Sequence, residues 1–436
     1  MFLVNQKRKQ ASSVLLQPKR PLSPHSPSHS QRWRIALYSH DTMGLGHKRR
    51  NLLIAQTLGA SKLDADVLLI SGMRDASDLP TPSGVDSLTL PALHKRADGQ
   101  YEARRMGMAL EDIIRLRSQI ILTAIQNFQP DVLIVDNVPR GAVRELDATL
   151  EYIRLSNQRQ PSHATRCVLG LRDILDTPEK VKKDWQRSDN IEAIRRYYDT
   201  IWVYGDPNVY DLRREYQFPF DITTKMRPLG YLDQRARLNY VNPAVYANLE
   251  RLALPTDNNI ILCVVGGGQD GAALAKAFAQ ATLPANATGV LLTGPFMPAD
   301  VQQYLYAQAE QNPQLRIIDY LEEPTLLIKR ASRVISMGGY NTTCEILSFQ
   351  KPALMVPRVT PRLEQWIRTD HLQKQGLVDL LHPEHVNAEA ISHWLQQPGT
   401  TSRKDASINL NGLDNLLIEL QKQLMIAQAP PLPHAS

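Results

Sequence analysis

Cysteine is scarce in this chain. Its 436 residues hold three, Cys167, Cys263 and Cys344, with no two close in sequence. An odd number without a close pair forms neither a disulfide framework nor a zinc site, and it fits a reducing compartment. Long apolar runs are missing as well: none approaches the roughly 18 residues needed to cross a bilayer, so the chain reads as soluble or at most peripheral. Acidic residues are absent from the first 34 positions, where Lys7, Arg8, Lys9, Lys19, Arg20, Arg32 and Arg34 stand. These seven charges exceed the formal net charge of +6, so the remainder is close to neutral and a nucleic-acid footprint is not supported.

Residues 1–31 are rich in Ser, Pro and basic side chains and lack periodicity, the profile of a disordered basic tail. An organelle transit peptide shares that composition, whereas the apolar piece Val14 to Leu16 is too short for a secretory signal. The rest is too long for one ordinary core, and its 43% hydrophobic and 22% charged residues are those of a globular protein, so two domains are expected. Periodicity places them at 32–232 and 259–400, separated by a polar connector over 233–258 and followed by a terminal amphipathic helix and tail over 401–436.

Each domain opens with an apolar run that breaks into glycines and then into a helical pattern. In the first, RIALYSH leads to Gly44, Gly46 and His47, then to Leu52, Leu53, Ile54 and Ala55. A dinucleotide fingerprint is incomplete there. Arg49 stands where the third glycine belongs, and the next strand, DVLLIS, ends in Ser71 and Gly72 rather than in an acidic ribose ligand. His47 sits at the first turn of a helix, whose positive dipole end favours the neutral imidazole a general base requires; the alternative is a solvated polar residue. In the second domain, NIILCVV runs into Gly266, Gly267 and Gly268 with Gln269 and Asp270, a turn suited to an anion.

Further strands, DVLIVD, RCVLGL and TIWVYG, end at Asp136, at Arg172 and Asp173, and before Asp206. Carboxyl ends of such strands line the crevice where open α/β sheets bind ligands. A helical pattern from Tyr101 to about Phe128 carries Arg104, Arg105, Arg115 and Arg117 beside Met106, Met108, Ile113 and Ile114. It reads as a solvated face over a core stripe, with a peripheral membrane contact as the alternative. Asp64 and Asp66 form a D-x-D at a strand start and read as surface residues, so no metal site is expected.

The most informative stretch is RVISMGGYNTTCEILSFQKPALMVP, from Arg333 to Pro357. It reads as strand, glycine turn at Gly338 and Gly339, helix from Asn341, and strand. Paired glycines let the backbone approach a ligand, and a helix start offers unpaired N–H groups and a positive dipole end, which suits a phosphate. Glu345, one turn in, would point into the same crevice. A carboxylate there holds a phosphate poorly but accepts hydrogen bonds from the paired hydroxyls of a ribose. An ordinary βαβ turn with a solvated Glu is the plainer reading.

This stretch resembles nucleotide-sugar glycosyltransferases of the two-Rossmann-domain (GT-B) type, especially family 28, which includes the transferase making lipid II. Gly339, Tyr340, Asn341, Thr342 and Glu345 match the shared Gly-aromatic-Asn-Ser/Thr-x-x-Glu core. Pro352 and Pro357 match its two prolines, and Glu364 and Gln365 its acidic-Gln pair. Gly44-x-Gly46-His47 is similar to the family's N-terminal glycine loop. The segments SHDTMGLGHKRR, VDNVPRGAVREL, LRDILDTPEKVKKDW, WVYGDPNVYD and SMGGYNTTCEI resemble the blocks of a bacterial group of predicted glycosyltransferases.

The resemblance implies an α/β fold of two doubly wound Rossmann-like domains facing a central cleft, with an acceptor domain first and a donor domain second. It implies transfer of a hexosyl group from a nucleoside diphosphate, a UDP-sugar, to an acceptor hydroxyl, with inversion and without cofactor or metal, in the cytoplasm or at the inner face of the membrane. Glu345 would bind the ribose, Asn341 and Thr342 the diphosphate, Gly267 and Gly268 the nucleotide pocket, and Glu364 and Gln365 the sugar. Gly44, Gly46, Gly338 and Gly339 complete the expected donor site, while His47, Asp136 and Asp173 are the expected catalytic residues. Two features depart from the pattern: Met337 replaces a phosphate-binding His of plant-type relatives, and the loop from Glu345 to Glu364 is longer and carries Arg358 and Arg362. The identity of the sugar stays open. A nucleotide-sugar 2-epimerase shares the fold, and a non-catalytic nucleotide-sugar sensor is the reading from another class.

Overall fold

A computed structural model describes residues 32–40, 46–72, 81–95, 100–104, 106–255, 259–397 and 407–428. The basic tail and Gly44 lie outside the described residues.

Near-continuous apolar runs, rather than alternating ones, mark strands buried on both faces of a parallel sheet. That pattern marks the central strands of two sheets, while the edge strands are shorter or half-exposed. The first contains β1 (Trp33–Ser39), β2 (Ala65–Ser71) and β3 (Val85–Thr89), while β4 (Leu93–Lys95) and β5 (Tyr101–Ala103) form a separate antiparallel pair. It continues with β6 (Val132–Asp136), β7 (Arg166–Arg172), β8 (Thr200–Tyr204) and β9 (Met226–Pro228) in the order β3-β2-β1-β6-β7-β8-β9, all parallel. The second sheet contains β10 (Ile260–Val264), β11 (Thr288–Leu292), β12 (Leu315–Ile318), β13 (Ala331–Ser336), β14 (Ala353–Met355) and β15 (Asp379–Leu380). Its order is β12-β11-β10-β13-β14-β15, again parallel.

In each sheet the strand order reverses beside the first strand, between β1 and β6 and between β10 and β13. At such a switch point the connections leave in opposite directions and open a crevice at the carboxyl ends. His47 follows β1 and Asp136 ends β6, while Gly266–Gly268 follow β10 and Gly338–Gly339 follow β13. Topology alone therefore collects four of the expected motifs at two crevices. Both sheets belong to one compact unit from Trp33 onward. The connector carries a 3-10 turn over Gln234–Tyr240 and a helix over Pro243–Arg251. The terminal helix Gly412–Gln428 buries Leu413, Leu416, Leu420 and Leu424 in the same apolar cluster as Ile35, Leu37 and Trp202 of the first sheet.

The expected single helix from Tyr101 is corrected. Tyr101–Ala103 pairs antiparallel with β4, and the helix begins only at Leu110 and runs to Phe128, past the permissive Gly107 and with Glu111 and Asp112 in its first turn. Carboxylates at that end complement the helix dipole. Arg117, expected on a solvated face, is fully buried and donates to Glu145 at 2.7 Å, and Glu145 also accepts from the Tyr38 hydroxyl. Ile113, Ile121 and Ile125 are buried too, so this side of the helix faces the core. Among the described residues no helix is long and apolar enough to cross a bilayer.

Candidate active site

The two crevices meet in a cavity of about 280 Å³ lined from one side by Gly46, His47, Arg49, Arg50 and Arg172, and from the other by Gly266, Gly267, Gly339, Asn341, Thr342 and Glu345. A second cavity of about 490 Å³ shares Gly266, Gly267, Gly339 and Thr342 with it and extends past Gly268, Asp270, Met337, Arg358 and Gln365. Most of the expected donor residues are thus brought together. Glu364, Gly338, Asp136 and Asp173 lie off the lining of both cavities.

On the first wall, His47 Nδ1 lies 2.6 Å from Asp136 Oδ2. Arg50 Nη2, which can only donate, also lies 3.0 Å from Nδ1, but the contact to the carboxylate is the shorter. An ionised carboxylate only accepts, so the ring proton is assigned to Nδ1, and in the neutral imidazole Nε2 then carries the lone pair. Arg50 converges on the same carboxylate, with Nη2 2.6 Å from Oδ1 and 2.7 Å from Oδ2 and Nε 3.2 Å from Oδ1. Burial alone would raise the Asp136 carboxyl, yet the Arg50 guanidinium and His47 hold it well below the usual carboxylate range. Asp136 is therefore a fixed anion that orients the imidazole. Arg50 was not singled out in the sequence, although its i+3 spacing from His47 puts both on one helix face.

The opposite wall is rich in N–H groups. The helix Tyr340–Ser348 begins at the cleft, and its first hydrogen bond back to the turn is made by Thr343 N–H to the Gly339 carbonyl, so the N–H groups before it have no intrahelical partner. A side chain on Gly339 would meet no atom within 4 Å, so the backbone here is bare toward the cavity. Gly268, by contrast, is required by the fold: its φ is +92°, and a Cβ would sit 2.3 Å from the Thr293 carbonyl oxygen. The Asn341 amide donates to the Gly46 carbonyl at 2.9 Å, tying one glycine turn to the other.

Glu345 is buried and accepts from Arg49 Nη2 and from the Thr325 hydroxyl, both at 3.0 Å and both on Oε1. Among the described residues Oε2 has no protein donor. Arg49 also reaches Glu323 at 2.7 Å. Burial pushes the Glu345 carboxyl up, against the pull of Arg49 and with the push of Glu323. Burial acts the same way on Glu323, but Arg49 and Arg237 hold it down at about 2. The position read as a missing glycine is thus a cation that crosses the cleft to the expected ribose carboxylate.

Toward the second cavity, Arg358 explains the unusual loop. Its Nη1 donates to Asp270 and its Nη2 to Glu364, each at 2.9 Å, and its backbone N–H donates to Gln365 Oε1 at 3.0 Å. One lone pair of the Gln365 oxygen is thereby used, and its NH₂ makes no hydrogen bond to any described residue. Glu364 is buried, with Oε2 lacking any hydrogen-bond partner.

Asp173, unlike Asp136, has no histidine among the described residues beside it to carry its charge to the cavity. It is 1% exposed, and both oxygens are taken by Arg368, at 2.7 Å each, while Tyr231 donates to Oδ2 at 3.1 Å. Arg368, 0% exposed, also donates to the Gly338 carbonyl at 3.2 Å. This pair joins the end of β7 to the helix Glu364–Lys374.

Residues 261–379 match the family model of the glycosyltransferase family 28 C-terminal domain. No curated protein matches the sequence. Among solved structures, the glycosyltransferase SnogD from Streptomyces nogalater aligns with a TM-score of 0.53 at 16% identity, over 91% of this chain and 97% of that one. MurG from Acinetobacter baumannii aligns at 0.51 and 12%, over 90% and 100%. The UDP-GlcNAc 2-epimerase from Methanocaldococcus jannaschii aligns at 0.58 and 12%, also over 90% and 100%. The fold is that of the GT-B glycosyltransferases, and at these identities the likeness is one of fold.

Proposed function

We propose that the protein transfers a sugar from a nucleoside diphosphate, a UDP-sugar, to an acceptor hydroxyl, with inversion at the anomeric carbon. One observation carries this reading: a single cavity sets His47, backed by the buried Asp136, on one wall against an N–H-rich glycine turn and Glu345 on the other. The acceptor oxygen attacks the anomeric carbon as its proton passes to His47 Nε2. The bond from that carbon to the diphosphate breaks, and the diphosphate leaves with the electron pair. Asp136 holds the tautomer and balances the imidazolium. Helix N-terminus and turn N–H groups face the departing charge, so the mechanism calls for no metal.

Glu345 Oε2 is the acceptor for the ribose hydroxyls. Tyr320 and Phe296, 52% and 39% exposed and both on the cavity lining, offer flat faces for the base. The Gln365 NH₂ donates to the sugar. Asn341 and Thr342 meet the diphosphate chiefly through the start of their helix, since the Asn341 amide already donates to Gly46. The first sheet serves as the acceptor side and the second as the donor side.

The test is a panel of nucleotide sugars, screened by thermal shift and then incubated with labelled donor in the presence and absence of cell extract. Labelled sugar should move onto an extract component. Conversion of UDP-GlcNAc to its 2-epimer without extract would replace transfer by epimerisation, and binding without any turnover would leave a sensor.

A further inference from the structure

The cations of the cleft differ in one respect. Arg49 is paired with Glu323 and Glu345, Arg50 with Asp136, and Arg358 with Asp270 and Glu364. Arg172, at the carboxyl end of β7, lines the same cavity, and its guanidinium makes no hydrogen bond or ion pair with any described residue. Its Nε is buried without a partner. The adjacent residue, Asp173, cannot serve, because both its oxygens are committed to Arg368.

An unpaired guanidinium in such a place costs stability, since desolvation is not offset by a counter-ion. The surroundings add to the cost: burial first, then the positive charges of Arg50 and Arg368, push the Arg172 guanidinium down to about 10, against the weaker pull of Glu364 and Asp173. A partner from outside the chain would remove that cost. Facing Arg172 across the cavity are the start of the Tyr340–Ser348 helix and the Gly266–Gly267 turn, which attract anions as well. The group that satisfies all of them carries several negative charges on tetrahedral oxygens, which a guanidinium fork engages two at a time.

We infer that Arg172 is the cross-cleft ligand of the donor's diphosphate, contacting phosphate oxygens from the acceptor-side wall while the glycine turns hold them from the donor side. The inference rests on the nucleotide-sugar reading above and adds to it a side-chain cation that takes up the charge left on the diphosphate when the bond to the anomeric carbon breaks. It also gives the two walls a reason to close: the same phosphates bridge them.

The experiment is calorimetric titration of the intact protein and of Arg172→Gln and Arg172→Lys with UDP, inorganic pyrophosphate and uridine. A charge-assisted bond of this type is worth about 1.5–3 kcal/mol, so Arg172→Gln should bind UDP and pyrophosphate roughly 10- to 100-fold more weakly, with uridine unchanged. Arg172→Lys should recover part of the loss, because it restores charge without the fork. Without ligand, Arg172→Gln should melt no lower than the native protein, since an unpaired charge has been removed, and this separates a ligand-binding role from a structural one. Equal UDP and pyrophosphate affinities in native protein and Arg172→Gln would overturn the inference. Should the native protein bind pyrophosphate through Arg172 but bind UDP no more tightly, the nucleotide reading falls and the anion site stands; binding of none of the three probes would end both.

Discussion

His47→Ala is expected to lower turnover by about 10²- to 10⁴-fold while UDP-sugar affinity stays within about twofold, as befits a residue whose contribution arises only as the acceptor proton moves. The geometry explains why the effect should fall on turnover. His47 stands on the wall opposite Glu345 and the helix start, so its removal takes nothing from the donor's ribose, and the Asp136–Arg50 pair remains intact behind the vacated ring. Steady-state kinetics with a fixed acceptor, alongside calorimetry with the donor, would read the two quantities separately. Unimpaired turnover in this variant would remove His47 as the base.

Asp173→Ala should instead cost stability, about 3–5 kcal/mol in denaturant unfolding, because it strands a fully buried Arg368 with only the Gly338 carbonyl as acceptor. Asp173 was expected to be catalytic because it ends a strand at the rim of a crevice. Its oxygens are consumed by Arg368 and Tyr231, and the fold brings Gly205 so close that a Cβ there would lie 2.5 Å from the Asp173 Cβ. Such a group has no lone pair left for a substrate proton, and we assign it to holding the donor-side helix against the first sheet. The double variant Asp173→Leu with Arg368→Met, in which neither charge is left unpaired, should recover much of the loss. A loss below about 1 kcal/mol for Asp173→Ala would contradict that assignment.

How far the sequence alone reached can be judged from particular residues. The central strands of both sheets were legible because parallel strands buried on two faces read as unbroken apolar runs, whereas the edge strands β3, β9 and β15, short or half-exposed, were not read. The Gly339–Glu345 motif was legible because backbone approach, helix start and carboxylate are all local in sequence. The β4–β5 pair was not: three-residue strands carry too little period, and their apolar residues merged with the true helix that follows. Arg117 was misplaced because its partner, Glu145, is 28 positions away, and only tertiary packing decides that a charge on an amphipathic helix faces inward. The same holds for Arg368 with Asp173, 195 positions apart, and for Arg49 with Glu345, 296 apart. Long-range charge pairs leave no periodic trace, so the roles of Arg49, Arg50 and Arg368 were invisible where those of the glycine turns and Glu345 were not. Arg172 was seen at the rim but given no task, since the absence of a partner is itself a three-dimensional fact.

The central claim is that a nucleoside diphosphate occupies the cavity with its ribose on Glu345. The measurement that bears on it most directly is calorimetric titration of UDP into the native protein and into Glu345→Ala, in which Arg49 keeps Glu323 as a partner and the fold is undisturbed. Two hydroxyl-to-carboxylate bonds lost together predict a drop in UDP affinity of at least roughly 10- to 100-fold, with the melting temperature of the free protein little changed. UDP binding of equal strength in both proteins would contradict the account.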